Sequence, residues 1–431
     1  MMLTIERIYE LFRKHPIIST DSRKVEPGCI FFALRGNNFD GNRFAGDAIL
    51  KGAAFAIVDD DNIAKNDQYL VVENVLSALQ QLSLIHRKHF SIPVIAITGS
   101  NGKTTTRELV SAVLSKKFRT LANEGNLNNH IGVPLTLLKI NENTEIAVIE
   151  MGANHAGDID FLCKLALPDS GIITNVGKAH LEGFGNLEGV IRAKTELYRY
   201  LQSAGGKVFI NIDNSILPGH AKDLQKITYG TSSPADVGGK IINHEPFISF
   251  TLEIGKKKID VASRLFGEYN LENFLAAACI GNYFGVDITD IKEALEGYEP
   301  TNNRSQVTQT ANNRLILDAY NANPASMQAA LRQFHSSPFE NKVVILGDML
   351  ELGDASDEEH QEILRLLEEL GFDKVFLVGP AFTRLNTKID WLCFQDSELA
   401  NLWLSHHKIS GATIFIKGSR GIRMERIIDN L

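Results

Sequence analysis

Ile92-Pro93-Val94-Ile95-Ala96-Ile97-Thr98-Gly99-Ser100-Asn101-Gly102-Lys103-Thr104-Thr105-Thr106 is the stretch from which the fold is read. An apolar run leads into a glycine-rich turn. Arg107-Glu108-Leu109-Val110-Ser111-Ala112-Val113-Leu114 follows with apolar residues at helical spacing. Strand, glycine turn, Gly-Lys-Thr and helix make the layout of a phosphate-binding loop. Backbone N–H groups and the helix N-terminus face an anion, the lysine reaches the outer phosphates, and the threonine hydroxyl can ligate Mg²⁺. Ile97 stands where the long G-x-x-x-x-G-K-S/T pattern has its first glycine, so the loop is the shorter G-x-x-G-K-T form.

Upstream, residues 1–85 read as a small α/β unit. Leu3 to Arg13 has helical periodicity, Cys29 to Leu34 reads as a buried strand, Phe44 to Lys51 as a helix and Ala54 to Val58 as a strand. Asp21-Ser22-Arg23 and Arg35-Gly36-Asn37-Asn38-Phe39-Asp40-Gly41 are polar clusters beside strands. Such clusters are turn chemistry first, and they lie where ligands also sit.

Downstream, strand–helix alternation over residues 86–300 predicts a mostly parallel sheet covered on both faces. Asn126-Leu127-Asn128-Asn129 offers side-chain amides on an irregular segment. Glu145 to Gly152 reads as a strand with Glu150 near its C-terminal end, a position suited to holding Mg²⁺ one unit beyond a phosphate loop. Ile172 to Val176 reads as a strand running into Gly177-Lys178-Ala179-His180, and Val190 to Leu201 as one helix carrying Lys194. Residues 227–266 show short β alternation with a turn at Gly255-Lys256-Lys257-Lys258. Asn270 is expected to cap the following helix, and Asn273 lies one turn later on an apolar helix, where a buried amide requires a partner. A polar stretch at Glu299 to Asn303 marks a boundary. Residues 301–431 read as a doubly wound unit whose strands end at Asp318, Asp348, Gly379 and Lys417-Gly418.

Composition narrows the function classes. Hydrophobic residues make up 44% and charged residues 22%, with a formal charge of −8, which argues against a general nucleic-acid surface. Cys29, Cys163, Cys279 and Cys393 are far apart and form no C-x-x-C, as expected of buried thiols in a reducing compartment. Met1 to Arg7 lacks the apolar core of a signal peptide, and no apolar run approaches a membrane span. The expectation is a cytoplasmic monomer with no membrane span and no nucleic-acid partner.

The motifs, taken in order, resemble those of the Mur ligases of bacterial peptidoglycan synthesis. They are Thr98-Gly99-Ser100-Asn101-Gly102-Lys103-Thr104-Thr105, Glu150-Met151-Gly152-Ala153, Asn175-Val176-Gly177-Lys178-Ala179-His180, Ala193-Lys194-Thr195-Glu196, Asn270-Leu271-Glu272-Asn273, Asn303-Arg304-Ser305 and Lys417-Gly418-Ser419-Arg420. Asp318-Ala319-Tyr320-Asn321-Ala322-Asn323-Pro324 and Gly347 to Gly353 look like the members that join D-alanyl-D-alanine to UDP-N-acetylmuramoyl-tripeptide.

The resemblance implies three domains: an N-terminal α/β domain for the UDP substrate, a central phosphate-loop ATPase domain and a C-terminal Rossmann-like domain. It implies ATP as co-substrate, Mg²⁺, and an acyl-phosphate route. Lys103 would hold the outer phosphates, with Gly99, Ser100, Asn101, Gly102, Thr104 and Thr105 forming the cradle. Thr104 and Glu150 would hold one Mg²⁺, and His180 and a carbamylated Lys194 a second. Asn270 and Asn273 would meet adenine, Arg304 a phosphate and Asp318 the ribose. Ser22, Arg23, Leu34, Arg35 and Gly36 would grip the UDP end, Asn126, Asn128 and Asn129 would face the UDP-muramoyl part, and Asn321 and Asn323 would receive D-alanyl-D-alanine. Two departures from related sequences stand out: Leu317 where a second Asp often precedes Asp318, and Asn42 where His often follows Asp40-Gly41. The alternatives are a third-residue-adding Mur ligase, a folylpolyglutamate synthase, or a non-catalytic nucleotide switch, which would not need Glu150, His180 and Lys194 together.

Overall fold

A computed structural model describes residues 3–232, 234–243 and 247–431. Met1 and Met2, and residues 233 and 244–246 of the expected β stretch, lie outside the described residues. The chain groups into two compact units. The first comprises residues 1–96, 118–152 and 158–170, and the second residues 97–117, 153–157 and 171–431.

The first unit begins with a four-stranded parallel sheet in the order Ile18–Ser19, Ile30–Phe32, Phe55–Val58, Tyr69–Val71. Side chains alternate across a strand. Ile30 and Phe32 therefore pack with Ile8, Phe12, Leu79 and Leu82, while Phe31 packs with Cys29, Ala45, Ala48 and Val58 on the other face. Burial on both faces explains the unbroken apolar run Cys29 to Leu34. Arg35–Gly36 and Phe39–Asp40 form a small antiparallel ladder. Further along, Thr120–Ala122 pairs in parallel with Ile146–Glu150. The helix Val75–Lys88 packs on Gly132–Leu137 and Asp158–Ala166, where Arg87 donates to the carbonyls of Ala166 and Leu167.

The strand Val94–Thr98 begins in the first unit and ends in the second. In the second unit the strand order is Lys257–Ala262, Ser249–Ile254, Val237–Asn243, Gln225–Gly230, Lys207–Asn211, then residues 171–173 and residues 97–98. Lys207–Asn211, Gln225–Gly230 and Val237–Asn243 are parallel. The last two strands of the β stretch are antiparallel, turning at Gly255 with φ +59°. A second sheet, in the order Gln306–Gln309, Arg314–Asp318, Thr413–Lys417, Lys342–Gly347, Lys374–Val378, Leu392–Phe394, is parallel except for its antiparallel edge strand Gln306–Gln309. Leu317, in place of an acidic residue, belongs to its core with Leu315, Ile345 and Ile416.

Two local expectations are corrected. The helix expected over Val190 to Leu201 is two helices, Leu187–Lys194 and Glu196–Ala204. Thr195 separates them, its hydroxyl donating to the carbonyls of Ile191 at 2.8 Å and Arg192 at 3.2 Å, and this back-bonding bends a helix. Asn270 is followed by the helix Leu271–Tyr283 but makes no side-chain cap. Its amide is drawn inward to the carbonyl of Phe266 and to Ser305 Oγ, at 2.8 and 3.1 Å. Cys29, Cys163 and Cys279 are buried, whereas Cys393 is half-buried.

Candidate nucleotide and ligase site

The phosphate loop is held by a scaffold of hydroxyls and amides. Thr174 N–H donates to the Thr98 carbonyl, and Thr174 Oγ1 donates to the Asn101 carbonyl at 2.6 Å. Asn101 N–H donates to Asn175 Oδ1 at 2.9 Å. Ser100 N–H donates to the Asn175 carbonyl, and Ser100 Oγ exchanges hydrogen bonds with the Gly177 backbone. The two glycines are required sterically. A Cβ at Gly99, with φ +146°, would lie 2.0 Å from Thr174 Oγ1, and one at Gly102, with φ +76°, 2.6 Å from Asn273 Oδ1. The helix Lys103–Leu114 starts directly after Gly102, so its first N–H groups open into the loop. Lys103 Nζ arches back to the carbonyls of Gly99 and Ser100 at 2.6 and 3.0 Å, placing a cation at the loop's mouth. Thr104 and Thr105 are buried at the helix start.

A continuous hydrogen-bonded path leads from this loop to the second sheet. Thr106 Oγ1 donates to Asn273 Oδ1, Asn273 Nδ2 donates to Asn270 Oδ1, and Asn270 Nδ2 donates to Ser305 Oγ. Ser305 N–H reaches Asp318 Oδ1 at 3.2 Å, and Asp318 Oδ2 pairs with Lys417 Nζ at 2.5 Å. Asn273 thus finds the partner that its burial requires. Arg304 stacks 3.6 Å from the centroid of the Tyr320 ring, and Arg420 lies 5.0 Å from it. Asn323 caps the helix Pro324–Ser336 in a capping box with Ser326, and its Nδ2 donates to Asn101 Oδ1 at 2.7 Å. Asn321 is exposed, and its Oδ1 accepts from Ala322 N–H.

His180 and Lys194 flank one aromatic ring. The His180 and Phe184 rings meet edge-on with centroids 6.5 Å apart, and Lys194 Nζ lies 5.5 Å from the Phe184 centroid. Lys194 is 1% exposed. His180 Nδ1 lies 2.6 Å from Glu351 Oε2. That contact, with Lys103 farther off, holds the Glu351 carboxyl below the usual range although burial pushes it up.

In the first unit, Glu150 ends its strand and is 1% exposed. Asn128 Nδ2 donates to Glu150 Oε1 at 2.8 Å, and Asn123 accepts from the Glu150 N–H. Asn129 turns its Oδ1 to the N–H groups of Ile131 and Gly132, which is turn chemistry, and Asn126 is exposed. Arg23 is exposed and paired with Asp21, whose carboxyl the arginine's hydrogen bonds pull down to about 2. The Ser22 carbonyl accepts from Lys51, and Leu34 is buried. Arg35 pairs with Asp59 at 2.9 Å, and the ring of Phe39 lies over Gly36, where a Cβ would be 2.4 Å from it. Asn42 is 3% exposed and donates to both Asp40 and Asp59.

Sequence reading gave no role to Thr174, Asn175, Ser305 and Glu351, although the last three lie in the quoted motifs, and it noted Asn42 only as a departure from related sequences. Among the described residues no three His, Cys, Asp or Glu side chains gather into a metal site by themselves. The expected set draws instead on a threonine hydroxyl and a lysine. An ammonium has no lone pair for a cation, so Lys194 fits that set only as its carbamate, whose oxygens suit a hard metal. The N–H groups at the start of the helix Lys103–Leu114, with Lys103 Nζ at their mouth, fit the phosphates of a nucleotide.

A parallel α/β fold with this cradle defines a phosphate-loop nucleotide-binding protein. Family models fit almost end to end: Mur ligase family, catalytic domain, over residues 15–97; Mur ligase middle domain over 97–281; and Mur ligase, glutamate ligase domain, over 303–420. The chain belongs to the Mur ligase family. It is 35% identical to the UDP-N-acetylmuramoyl-tripeptide–D-alanyl-D-alanine ligase of Bacillus subtilis, covering 96% of this chain and 92% of that one. Among solved structures it is similar to MurF of Acinetobacter baumannii, with TM-score 0.85, 34% identity, and 96% and 92% of the two chains covered. It is also similar to the MurF ligase of Thermotoga maritima in complex with ADP, with TM-score 0.84, 28% identity and 96% of each chain covered.

Proposed function

We propose that this chain is an ATP-dependent ligase that joins D-alanyl-D-alanine to the C-terminal carboxylate of UDP-N-acetylmuramoyl-tripeptide, a step of peptidoglycan synthesis. The observation that carries this reading is likeness over nearly the whole chain to ligases of that name. The tripeptide carboxylate takes the γ-phosphoryl group of ATP to give an acyl phosphate and ADP, the dipeptide amine attacks its carbonyl carbon, and the tetrahedral adduct loses the amine proton and expels phosphate. Phosphoryl transfer asks the protein mainly for positioning and charge neutralisation. The loop N–H groups and Lys103 orient and neutralise the outer phosphates. Asn270 and Asn273 are assigned to adenine, Asp318 to ribose and Arg304 to a phosphate.

Thr104, His180 and carbamylated Lys194 would hold Mg²⁺, and Glu150 is assigned to the same task by resemblance alone. Held there, Mg²⁺ would supply charge neutralisation for the phosphate oxygens. Carbamylation requires the Lys194 ammonium to give up one proton; the neutral amine then bonds to the carbon of carbon dioxide with loss of a second proton. Ser22, Arg23, Leu34, Arg35, Gly36, Asn126, Asn128 and Asn129 are assigned to the UDP substrate, and Asn321 and Asn323 to the dipeptide. Domain boundaries at 85/86 and 300/301, a monomeric state and a cytoplasmic location complete the reading; among the described residues no helix is long and apolar enough to cross a membrane.

The test is phosphate release from ATP with Mg²⁺, D-alanyl-D-alanine, and the tripeptide carrying either meso-diaminopimelate or L-lysine. Release that depends on both substrates is expected with one of them. Its absence with both sinks the assignment. Lys194→Ala should be inactive and partly restored by short carboxylates; full activity without an added anion would remove the carbamate.

A further inference from the structure

The loop after the strand Lys342–Gly347 is built to present one carboxylate. The backbone of residues 348–350 is fixed from three sides. The Asp348 carboxylate accepts from the N–H groups of Ala381 and Phe382 at 2.8 and 2.9 Å, and the Asp348 carbonyl accepts from Ser419 N–H at 3.1 Å. Met349 N–H donates to the fully buried His360 at Nε2, 3.0 Å away, and Leu350 N–H donates to Ser419 Oγ at 2.9 Å. The next residue, Glu351, has φ +64°, and its contact His180 has φ +51°. Both are left-handed conformations that cost a non-glycine residue energy and persist only where surroundings enforce them.

Here they are enforced mutually. Glu351 Oε2 lies 2.6 Å from His180 Nδ1, an ion-pair contact off the line of a hydrogen bond, and the Glu351 carbonyl accepts from Glu182 N–H at 3.3 Å. Gly353, with φ +55°, packs closely on the same segment, where a Cβ would lie 3.3 Å from Glu182 Cα. Lys178 Nζ pairs with Glu359 Oε1 at 2.6 Å on the same two segments.

We propose that Glu351 is a positioning residue that fixes the tautomer and ring angle of His180, so that Nδ1 carries the proton and Nε2 is the donor offered to Mg²⁺. The inference rests on the reading of His180 as a metal ligand. Its chemistry is general: a carboxylate on one imidazole nitrogen orients the other and raises its basicity. Its consequence is specific to this chain. The carboxylate comes from the loop after the strand Lys342–Gly347, so seating of that loop and readiness of the metal ligand become one event.

The experiment uses the full chain with Glu351→Gln, Glu351→Ala and His180→Gln. Long-range proton–nitrogen spectra without nucleotide or metal read the imidazole tautomer, the His180 signals being those lost in His180→Gln. Wild type and Glu351→Gln are expected to carry the proton on Nδ1, and Glu351→Ala to shift it toward Nε2. In parallel, the half-saturating Mg²⁺ for substrate-dependent phosphate release should rise about 10-fold or more in Glu351→Ala. The kcat at saturating Mg²⁺ should be largely kept, and Glu351→Gln should stay near wild type. A His180 tautomer unmoved by Glu351→Ala overturns the proposal. So does an unchanged Mg²⁺ requirement in Glu351→Ala where His180→Gln raises it. If His180→Gln itself leaves that requirement unchanged, the reading of His180 as a ligand fails, and with it the metal-directed role of Glu351.

Discussion

Gly99 shows how little space separates a working phosphate loop from a blocked one. Its missing side chain admits the Thr174 hydroxyl, which holds the Asn101 carbonyl and so shapes the turn. Gly99→Ala should therefore lose nucleotide affinity and lower Tm, and a wild-type Kd for ADP by calorimetry would contradict the cradle. Lys103 is proposed to act through charge instead. Lys103→Ala should abolish turnover, because it removes the cation at the mouth of the loop. A wild-type rate in that variant would remove the lysine from the mechanism. Asn42 illustrates a departure from related sequences that makes local sense. Its neutral amide donates to two carboxylates, Asp40 and Asp59, and its Oδ1 accepts from the Asp59 N–H.

At the level of elements, termini carry most of the function, and their loops need polar anchors. Asp213, just past the strand Lys207–Asn211, accepts from Thr231 N–H, Thr231 Oγ1 and Ser232 N–H. Burial pushes its carboxyl up, but the hydrogen bonds from Ser232 and Thr231 prevail and hold it below the ordinary value. A depressed carboxyl stabilises the fold in full above the unfolded-state pKa, and that stabilisation is lost as pH falls through the lowered folded-state value. Asp213→Asn should accordingly narrow the urea-midpoint gap to wild type as the pH drops below about 4. A gap independent of pH would show that the carboxylate's charge is not what holds this turn.

Across the second unit, the helix that follows the phosphate loop also anchors the chain on its way to the second sheet. Glu108 accepts from Tyr298 Oη at 2.5 Å and from Asn302 Nδ2 at 3.0 Å, and pairs with Arg107. The next residues, Asn303 and Ser305, have φ +55° and +48°, conformations expected where a chain must turn sharply between two sheets. Glu108→Ala leaves the Tyr298 hydroxyl and the Asn302 amide without their acceptor and should cost about 1–3 kcal/mol. It should also raise KM for ATP more than it lowers kcat, since it frees the segment bearing Arg304 without touching the loop. Urea denaturation and steady-state kinetics read the two effects, and an unchanged KM would confine Glu108 to stability.

Much of this molecule is written in short-range pattern. The apolar run before Gly99, the glycine spacing and the Gly-Lys-Thr triplet specify strand, cradle and helix because each step depends on neighbours within a few residues. The apolar strands of the C-terminal sheet are readable for the same reason. By contrast, the bend at Thr195 and the inward turn of Asn270 were misread, because a hydroxyl or amide chooses among backbone partners only once packing has removed water. The contacts that Thr174, Ser305, Asn42 and Glu351 make were beyond sequence pattern as well. Ser305 lies 35 residues from Asn270, and Glu351 lies far along the chain from His180. Sequence alone carried the expectation of a phosphate cradle and placed this chain with the ligases. Tertiary structure decided which side chain orients which, since hydrogen bonds between distant segments form only where the fold has already brought them within about 3 Å.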